Sequence, residues 1–293
     1  MRRILLALLL VTLLTMLSAC DALSATTVRH GLRYGSARVE APEAARVPLL
    51  LDLYTPTKRV RRPRPVVIVI HGGGFLAKTR EAPESVRIAD ALASSGIVAA
   101  SIDYRLTGRR PVLSNRVAPL LGGLPEGDRS RAVVAAVEDT LKAIRFLRRR
   151  ADRLRIDPAR IGLVGTSAGA ITADHVAYVL DDYGIRRPKI RFVGSLWGGI
   201  LIGSRGGGNP AEQLERGEAA LFAAHGDRDP TLSVALSDQL VERARAQRVP
   251  HEYHRIAGGG HGPPRFFTEP VAGDDTAFDR LLAFARAHLR RRR

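Results

Sequence analysis

The sequence has 293 residues, of which 45% are hydrophobic, so the chain can bury a large core without disulfides or a metal, and its single cysteine excludes an intramolecular disulfide. Its formal net charge is +17, but the arginines that cause it are scattered and accompany no recognition helix, zinc finger or RNA-binding signature. We therefore predict no nucleic-acid partner, and an anionic membrane surface is the partner that the basic excess favours.

Arg2 and Arg3 precede an apolar stretch over residues 4–17, which has the length found in signal peptides and is too short for a membrane-spanning helix. The next residues, Leu17-Ser18-Ala19-Cys20, resemble the lipobox of bacterial lipoproteins, in which the cysteine is acylated and becomes the first mature residue. We predict a signal peptide over residues 1–19 and a lipid anchor at Cys20 that holds an exported protein at the bacterial cell envelope. Asp21 favours the inner membrane, facing the periplasm, over the outer face of the cell membrane. Ordinary cleavage nearby and an uncleaved anchor are the alternatives.

Residues 20–45 are predicted to form a tether with a first strand near residues 28–34, and residues 46–293 a single domain in which strands and helices alternate. The further predicted strands cover residues 49–54, 66–70, 97–102, 161–164, 190–197, 219–224 and 251–256. The predicted helices cover residues 83–95, 131–154, a segment beginning at 168, 231–247 and 275–289. This alternation predicts an α/β fold with a mainly parallel central sheet and helices on both faces.

The C-terminal ends of parallel strands meet at one edge of a sheet, and several predicted strand ends here carry polar residues. Ser167 follows one strand in the turn between Gly165 and Gly169, whose lack of side chains lets the strand and the next helix approach closely. A serine hydroxyl is a weak nucleophile unless a base removes its proton and a third group orients that base. His261 and Asp229 follow two later strands and supply these two groups.

Backbone N–H groups near the serine are the second part of the predicted site. Negative charge develops on the oxygen of an ester carbonyl when a nucleophile attacks it, and fixed N–H donors stabilise that charge. Gly73 and Gly74 leave the backbone accessible after the strand over residues 66–70, and Ala168 begins the helix after Ser167. We predict that these three residues form an oxyanion hole.

Together these motifs resemble the α/β-hydrolases, in particular carboxylesterases of the hormone-sensitive-lipase-like and xylan/feruloyl-esterase-like type, over residues 46–289. The motifs are His71-Gly72-Gly73-Gly74-Phe75, Asp103-Tyr104-Arg105, Asp157-Pro158 ahead of Gly165-Thr166-Ser167-Ala168-Gly169, His225-Gly226-x-x-Asp229 and Gly260-His261-Gly262. The resemblance implies an α/β-hydrolase fold, with Ser167 as nucleophile, Asp229 as acid and His261 as base, and the oxyanion hole described above. The short segment between the predicted strands at 190–197 and 219–224 predicts that this fold carries little or no cap. No group of residues has metal-ligand spacing, and we expect no metal and no other cofactor.

Some of these residues have rivals in the sequence. Asp227 competes with Asp229 for the role of the acid, and His251 and His254 lie inside a predicted strand and are expected to point to the faces of the sheet. His71 is expected to shape the glycine turn. Trp197 is expected to be a packing residue, with a place in the acyl pocket as the alternative.

Two departures from the family pattern concern the substrate. Asp229 is followed by Pro230-Thr231-Leu232, and Tyr104-Arg105-Leu106 is followed by Thr107-Gly108-Arg109-Arg110, where lipase-like members have other residues. The segment between the strands at 190–197 and 219–224 is too short for a large helical lid, which predicts an open, shallow site and short-chain acyl esters as substrates.

The function predicted from the sequence is a membrane-tethered serine carboxylesterase that acts on a small-molecule ester. The alternatives are a peptidase or a thioesterase with the same catalytic residues, or a non-catalytic envelope lipoprotein on a hydrolase scaffold. The sequence does not determine the acyl and alcohol parts of the substrate or the oligomeric state. It also does not determine whether residues 107–130 cover the site.

Overall fold

A computed structural model describes residues 26–205 and 207–290. The predicted signal peptide, Cys20 and the first part of the predicted tether lie outside the described residues. Among the helices that are described, none combines the length and the apolar character needed to cross a membrane.

The central sheet has eight strands in the order β1-β2-β4-β3-β5-β6-β7-β8. These strands are β1 (Thr26–Val39), β2 (Ala45–Pro56), β3 (Arg64–Ile70), β4 (Val98–Ile102), β5 (Ile156–Thr166), β6 (Phe192–Leu196), β7 (Ala220–Gly226) and β8 (His251–Ile256). Strands β3 to β8 run parallel to one another, whereas β1 and β2 form an antiparallel hairpin whose second strand pairs antiparallel to β4. The mainly parallel sheet predicted from the sequence is therefore confirmed. Two short strands, β9 (Pro270–Ala272) and β10 (Asp275–Thr276), pair separately.

Helices cover both faces of this sheet, as predicted. They are α1 (Pro83–Ser94), α2 (Asp128–Arg149), α3 (Ala151–Leu154), α4 (Ala168–Tyr178), α5 (Ala235–Ala246), α6 (Arg265–Thr268) and α7 (Ala277–His288). The β-branched run of β3 explains the two cores, because successive side chains of a strand point to opposite faces. Val66, Ile68 and Ile70 join the core under α2, α4 and α5, and Val67 and Val69 join the core under α1 and α7.

The bounds of several predicted elements differ from those observed, and three of these differences concern the first strand and two helices. The first strand extends beyond the predicted residues 28–34 because it pairs with β2 along its length from Thr26 to Val39. The predicted helix over residues 131–154 begins earlier, at Asp128, and divides at Arg150, whose backbone is not helical. The predicted helix over residues 231–247 begins only at Ala235 because the N–H groups of Thr231 and Leu232 donate to the side chain of Asp229 instead.

The connection between β4 and α2 is the segment that the sequence left undefined. It contains two 3₁₀ turns, Thr107–Arg109 and Ala118–Gly123, and residues 124–127 then lead into α2. Between β6 and β7, the described residues contain only one short 3₁₀ turn, Pro210–Gln213. No helical cap is therefore formed by the described part of that connection.

Candidate active site

Ser167 occupies a strained turn between the end of β5 and the start of α4. Its φ of 53° and ψ of −118° lie outside the regions that a serine normally adopts, which costs roughly 1–3 kcal/mol. The flanking glycines are required by their surroundings. A Cβ on Gly165 would lie 2.1 Å from the carbonyl oxygen of Gly169, and one on Gly169 would lie 2.0 Å from the carbonyl oxygen of Ile70. The strand and the helix can therefore hold this turn only with glycine at both positions.

The predicted serine, histidine and aspartate are brought together in one series of hydrogen bonds. His261 Nδ1 lies 2.7 Å from Asp229 Oδ2, and His261 Nε2 lies 2.8 Å from Ser167 Oγ. An ionised carboxylate can only accept, so Nδ1 of a neutral imidazole carries the proton and Nε2 accepts from the serine hydroxyl. This is the arrangement in which a histidine can remove the proton of a serine.

The surroundings of Asp229 keep this carboxyl ionised. Its side chain is completely buried, and burial alone would raise its pKa. Hydrogen bonds from the Leu232 N–H, from His261 and from the Thr231 N–H outweigh burial and lower the pKa below its ordinary value. Asp229 therefore presents a fixed negative charge to the imidazole of His261.

Asp229 also binds a second histidine, His225, to which the sequence analysis gave no role. Nε2 of His225 lies 3.1 Å from Asp229 Oδ2 and 3.0 Å from the carbonyl oxygen of Leu232, so it must carry the proton. Nδ1 lies 2.7 Å from the hydroxyl of Ser237, which donates to it. The ring is fully buried, and burial lowers its pKa. His225 stands four residues before Asp229 in the chain, and that spacing was the one signal in the sequence that could have identified it.

The glycine loop after β3 has a backbone that other residues would not adopt. Gly73 has a φ of 101°, and a Cβ there would lie 2.2 Å from the carbonyl oxygen of Ala77. Gly74 has a φ of 63°. Within the described part of the chain, the N–H groups of Gly73, Gly74 and Ala168 donate to no protein acceptor. These N–H groups are therefore available to a ligand.

His71 holds the glycine loop in place. Its ring stacks on Tyr104 with centroids 4.2 Å apart, and its Nδ1–H donates to the carbonyl oxygen of Gly72 at 2.7 Å. The Tyr104 hydroxyl donates to the carbonyl oxygens of His71 and Gly72. Burial lowers the pKa of His71, so the ring is neutral. The expected structural role of His71 agrees with these contacts.

The remaining rivals lie away from the serine. Asp227 accepts the Gly258 N–H and contacts neither His261 nor His225. His251 Nδ1 donates to the carbonyl oxygen of Val249, and His254 Nε2 donates to Glu252.

Trp197 combines both expected roles, because it packs edge-on against Phe266 at 5.5 Å and also lines the cavity described next.

The reactive side chains open into a cavity of about 960 Å³. Ser167, Ala168, His261 and the glycine loop line it together, so the structure brings the predicted oxyanion-hole residues to the same cavity as the serine. Residues 124–127, together with Arg129 and Ser130 at the start of α2, also line it, so the end of the connection between β4 and α2 forms one wall. Most of the other lining side chains are apolar, and four are charged: Lys78, Glu84, Glu126 and Arg129.

We find no group of three or more histidine, cysteine, aspartate or glutamate side chains that could hold a metal ion within residues 26–205 and 207–290. The arrangement of serine, histidine, aspartate and free N–H groups can carry out nucleophilic substitution at a carbonyl carbon with the protein's own residues.

The chain is similar in sequence to several known proteins. The sequence model of the carboxylesterase family matches residues 48–205. The non-reducing polyketide synthase ascC of Acremonium egyptiacum is 29% identical over 174 residues, which are 57% of this chain and 8% of the synthase. Carboxylesterase NlhH of Mycobacterium tuberculosis is 30% identical over 125 residues, which are 43% of this chain and 32% of that enzyme. The chain thus matches less than a third of the length of these curated relatives.

Solved structures of esterases share the fold. The thermophilic esterase 2 of Thermogutta terrifontis with bound propionate superimposes with a TM-score of 0.64 at 20% identity, over 90% of this chain and 93% of that one. A truncated carbohydrate esterase from gut microbiota superimposes with a TM-score of 0.64 at 18% identity, over 91% and 97%. The predicted α/β-hydrolase fold is therefore confirmed.

Proposed function

The chain belongs to the carboxylesterase family, and we propose that it is a serine esterase in which Ser167, His261 and Asp229 form the catalytic triad. The observation that carries the proposal is the pair of hydrogen bonds that joins these three side chains at 2.8 and 2.7 Å, next to unpaired N–H groups. The family match supports ester hydrolysis as the reaction. The side-chain geometry supports the individual roles.

The proposed reaction proceeds through an acyl-enzyme. His261 Nε2 takes the hydroxyl proton as Ser167 Oγ bonds to the ester carbonyl carbon, and the N–H groups of Gly73, Gly74 and Ala168 bind the resulting oxyanion. The bond to the alcohol breaks, and His261 gives its proton to the departing oxygen. Water then attacks the acyl-enzyme while His261 takes one of its protons, the acid leaves, and the proton returns to Ser167.

We infer a preference for short acyl chains, which the missing helical cap between β6 and β7 supports. The four charged side chains in the cavity lining support it as well, because an alkyl chain packed against them would remove water from charged groups without replacing their hydrogen bonds. The purified protein is expected to hydrolyse p-nitrophenyl acetate and butyrate with a kcat/KM at least about tenfold above that for the dodecanoate ester.

The same assay series separates ester hydrolysis from the reactions of a peptidase or a thioesterase. The matching anilide and thioester of acetic acid serve as the controls, and both are expected to react more slowly than the ester. Faster cleavage of the dodecanoate ester would contradict the chain-length preference, and faster cleavage of the anilide or the thioester would contradict the esterase proposal.

His225 is expected to act as a positioning residue for the acid. In His225→Leu, Asp229 loses one hydrogen-bond donor, so its carboxylate is held less firmly and positions His261 less well. We expect this to lower kcat by about 10²-fold. KM is expected to stay unchanged because His225 does not line the cavity. In His225→Gln, the amide can still donate to Asp229, and most of the activity is expected to return. Equal loss of kcat in both variants would contradict this role.

We also propose that the protein is exported and lipid-anchored through Cys20. The position of the only cysteine in a lipobox-like sequence supports this. The wild-type protein from a bacterial host is expected to enter the detergent phase of a Triton X-114 separation and to carry the mass of acyl chains on Cys20. A mature protein without that added mass would contradict lipidation.

A further inference from the structure

A second cavity, of about 680 Å³, lies at the opposite end of the sheet from the candidate active site. We call it the basic groove and define it by eight lining residues: Arg29, Lys58, Arg59, Arg61, Arg62, Arg64, Arg153 and Arg155. Among the residues that the structure describes, no aspartate or glutamate lines the groove. Within residues 26–205 and 207–290, none of the eight forms an ion pair with a carboxylate. Asp157, which follows Arg155 closely, lies outside the lining and pairs with Arg160.

The fold joins two arginine runs that are distant in sequence. The Arg64 N–H donates to the carbonyl oxygen of Arg155 at 3.0 Å, and the Arg155 guanidinium donates to the carbonyl oxygen of Val60 at 2.9 Å. These bonds fix the connection between β2 and β3 against the residues that precede β5. Arg59, Arg61 and Arg62 are exposed on that connection. The positive charges are therefore held together on a fixed backbone.

The lining of the groove favours a bilayer over a nucleic acid. Val60 lies among the arginines and is 40% exposed, and the half-buried Leu154 lies in the same lining. An apolar side chain between cations can enter the boundary between headgroups and acyl chains. The described part of the lining contains no aromatic residue on which nucleic-acid bases could stack.

The part of the chain that the structure describes begins at this groove. β1 begins at Thr26, and Thr27 is part of the groove lining. Cys20 precedes Thr26 by six positions, and six extended residues span about 20 Å. An acyl chain on Cys20 would therefore keep the basic groove within reach of the headgroups.

We propose that the basic groove is a docking surface for an anionic lipid bilayer. Each basic residue close to such a surface raises partitioning by about fivefold, so several together bind firmly. Arg64 is the first residue of β3, and the glycine loop of the active site follows the last residue of the same strand. Seven residues of strand separate the two ends by about 20 Å. The docked protein therefore turns its active site away from the bilayer, toward water-soluble esters.

The test measures vesicle binding of the full chain with Cys20→Ser, so that acylation does not contribute. Vesicles contain phosphatidylcholine alone or about one-third phosphatidylglycerol. The groove variant carries Arg59→Gln, Arg61→Gln and Arg62→Gln. The control variant carries Arg109→Gln, Arg116→Gln and Arg131→Gln, which remove the same charge from exposed positions at the active-site end of the sheet. Residues 1–25 are otherwise identical in all three proteins, so their contribution cancels.

The parent protein and the control variant are expected to prefer anionic vesicles by at least about tenfold, and the groove variant is expected to lose most of that preference. Added salt is expected to weaken binding of the parent protein to anionic vesicles. This measurement tests the electrostatic contribution without any substitution. Equal binding of both variants, or binding insensitive to salt, would overturn the proposal. Tighter binding to a DNA duplex than to anionic vesicles at the same ionic strength would overturn it too.

Vesicle binding does not depend on catalysis. A protein that binds anionic vesicles but hydrolyses no ester would contradict the proposed function and leave the docking surface standing. The groove and control variants are both expected to retain esterase activity, because none of the six arginines lines the active-site cavity.

Discussion

Replacement of Ser167 with alanine is expected to lower kcat for p-nitrophenyl acetate by about 10⁶-fold, to a rate set by the remaining N–H donors and by substrate binding. The loss is large because the substitution removes the only atom that bonds to the acyl group. The fold should be retained, since His261 is the only hydrogen-bond partner of the serine hydroxyl among the described residues and the strained turn depends on the glycines. Steady-state kinetics would measure the effect, after circular dichroism has shown that the variant and the parent protein have the same spectrum.

The matched control is Ser36→Ala, which removes a hydroxyl from the edge strand β1, outside the cavity. Its kcat should equal that of the parent protein. A Ser167→Ala variant that keeps more than about 1% of the activity would place the nucleophile elsewhere, because loss of a true nucleophile costs several orders of magnitude more.

Replacement of Asp229 with asparagine is expected to lower kcat by about 10⁴-fold while KM changes little. The carboxylate accepts a hydrogen bond from the Nδ1–H of His261, whereas an asparagine can present an N–H group at that point. The imidazole would then favour the other tautomer, whose Nε2 carries a proton and cannot remove one from Ser167. The measurement is the dependence of rate on substrate concentration for the variant and the parent protein.

Asp227→Asn is the control, because Asp227 has the same chemistry and lies two residues away. Its Oδ1 accepts the Gly258 N–H at 2.7 Å, and an asparagine oxygen can do the same. Its activity is expected to stay within about threefold of the parent value, as for a surface change outside the site. If Asp227→Asn were the more damaging substitution, the acid would be assigned to the wrong aspartate.

The turn at Ser167 could be predicted from sequence because its cause is local. Gly165 and Gly169 allow close approach of backbone atoms that any side chain would prevent, and the apolar run before them identifies the strand. The order of strands and helices then brings Asp229 and His261 to the same edge of the sheet. The parallel sheet and the residues of the proposed triad can therefore be predicted from the local sequence of each strand and turn.

His225 and the basic groove could not be predicted because they depend on contacts between distant segments. The roles of the two His225 nitrogens follow from the positions of Asp229 and Ser237 around one buried ring. The groove forms because Arg64 starts β3 and Arg155 directly precedes the neighbouring strand β5, about 90 residues later in sequence. The sequence indicated a basic protein near a membrane, but the face that carries the charge required the fold.

The boundaries of helices were predicted less well where a side chain, rather than a backbone carbonyl, accepts the hydrogen bonds of the backbone N–H groups. α5 begins later than its amphipathic pattern indicates because Asp229 binds the N–H groups of Thr231 and Leu232. The wall of the cavity formed by residues 124–127 was not foreseen for a related reason. That segment has no period, and its position depends on the elements it packs against.

The most direct test of the proposed triad is covalent labelling with a fluorophosphonate, followed by mass spectrometry of the intact protein and of its peptides. The parent protein is expected to gain one phosphonyl group, on the peptide that contains Ser167, and to lose esterase activity in proportion to labelling. Ser167→Ala is expected to gain none. A label on another residue, or a label that persists in Ser167→Ala, would contradict the assignment of the nucleophile.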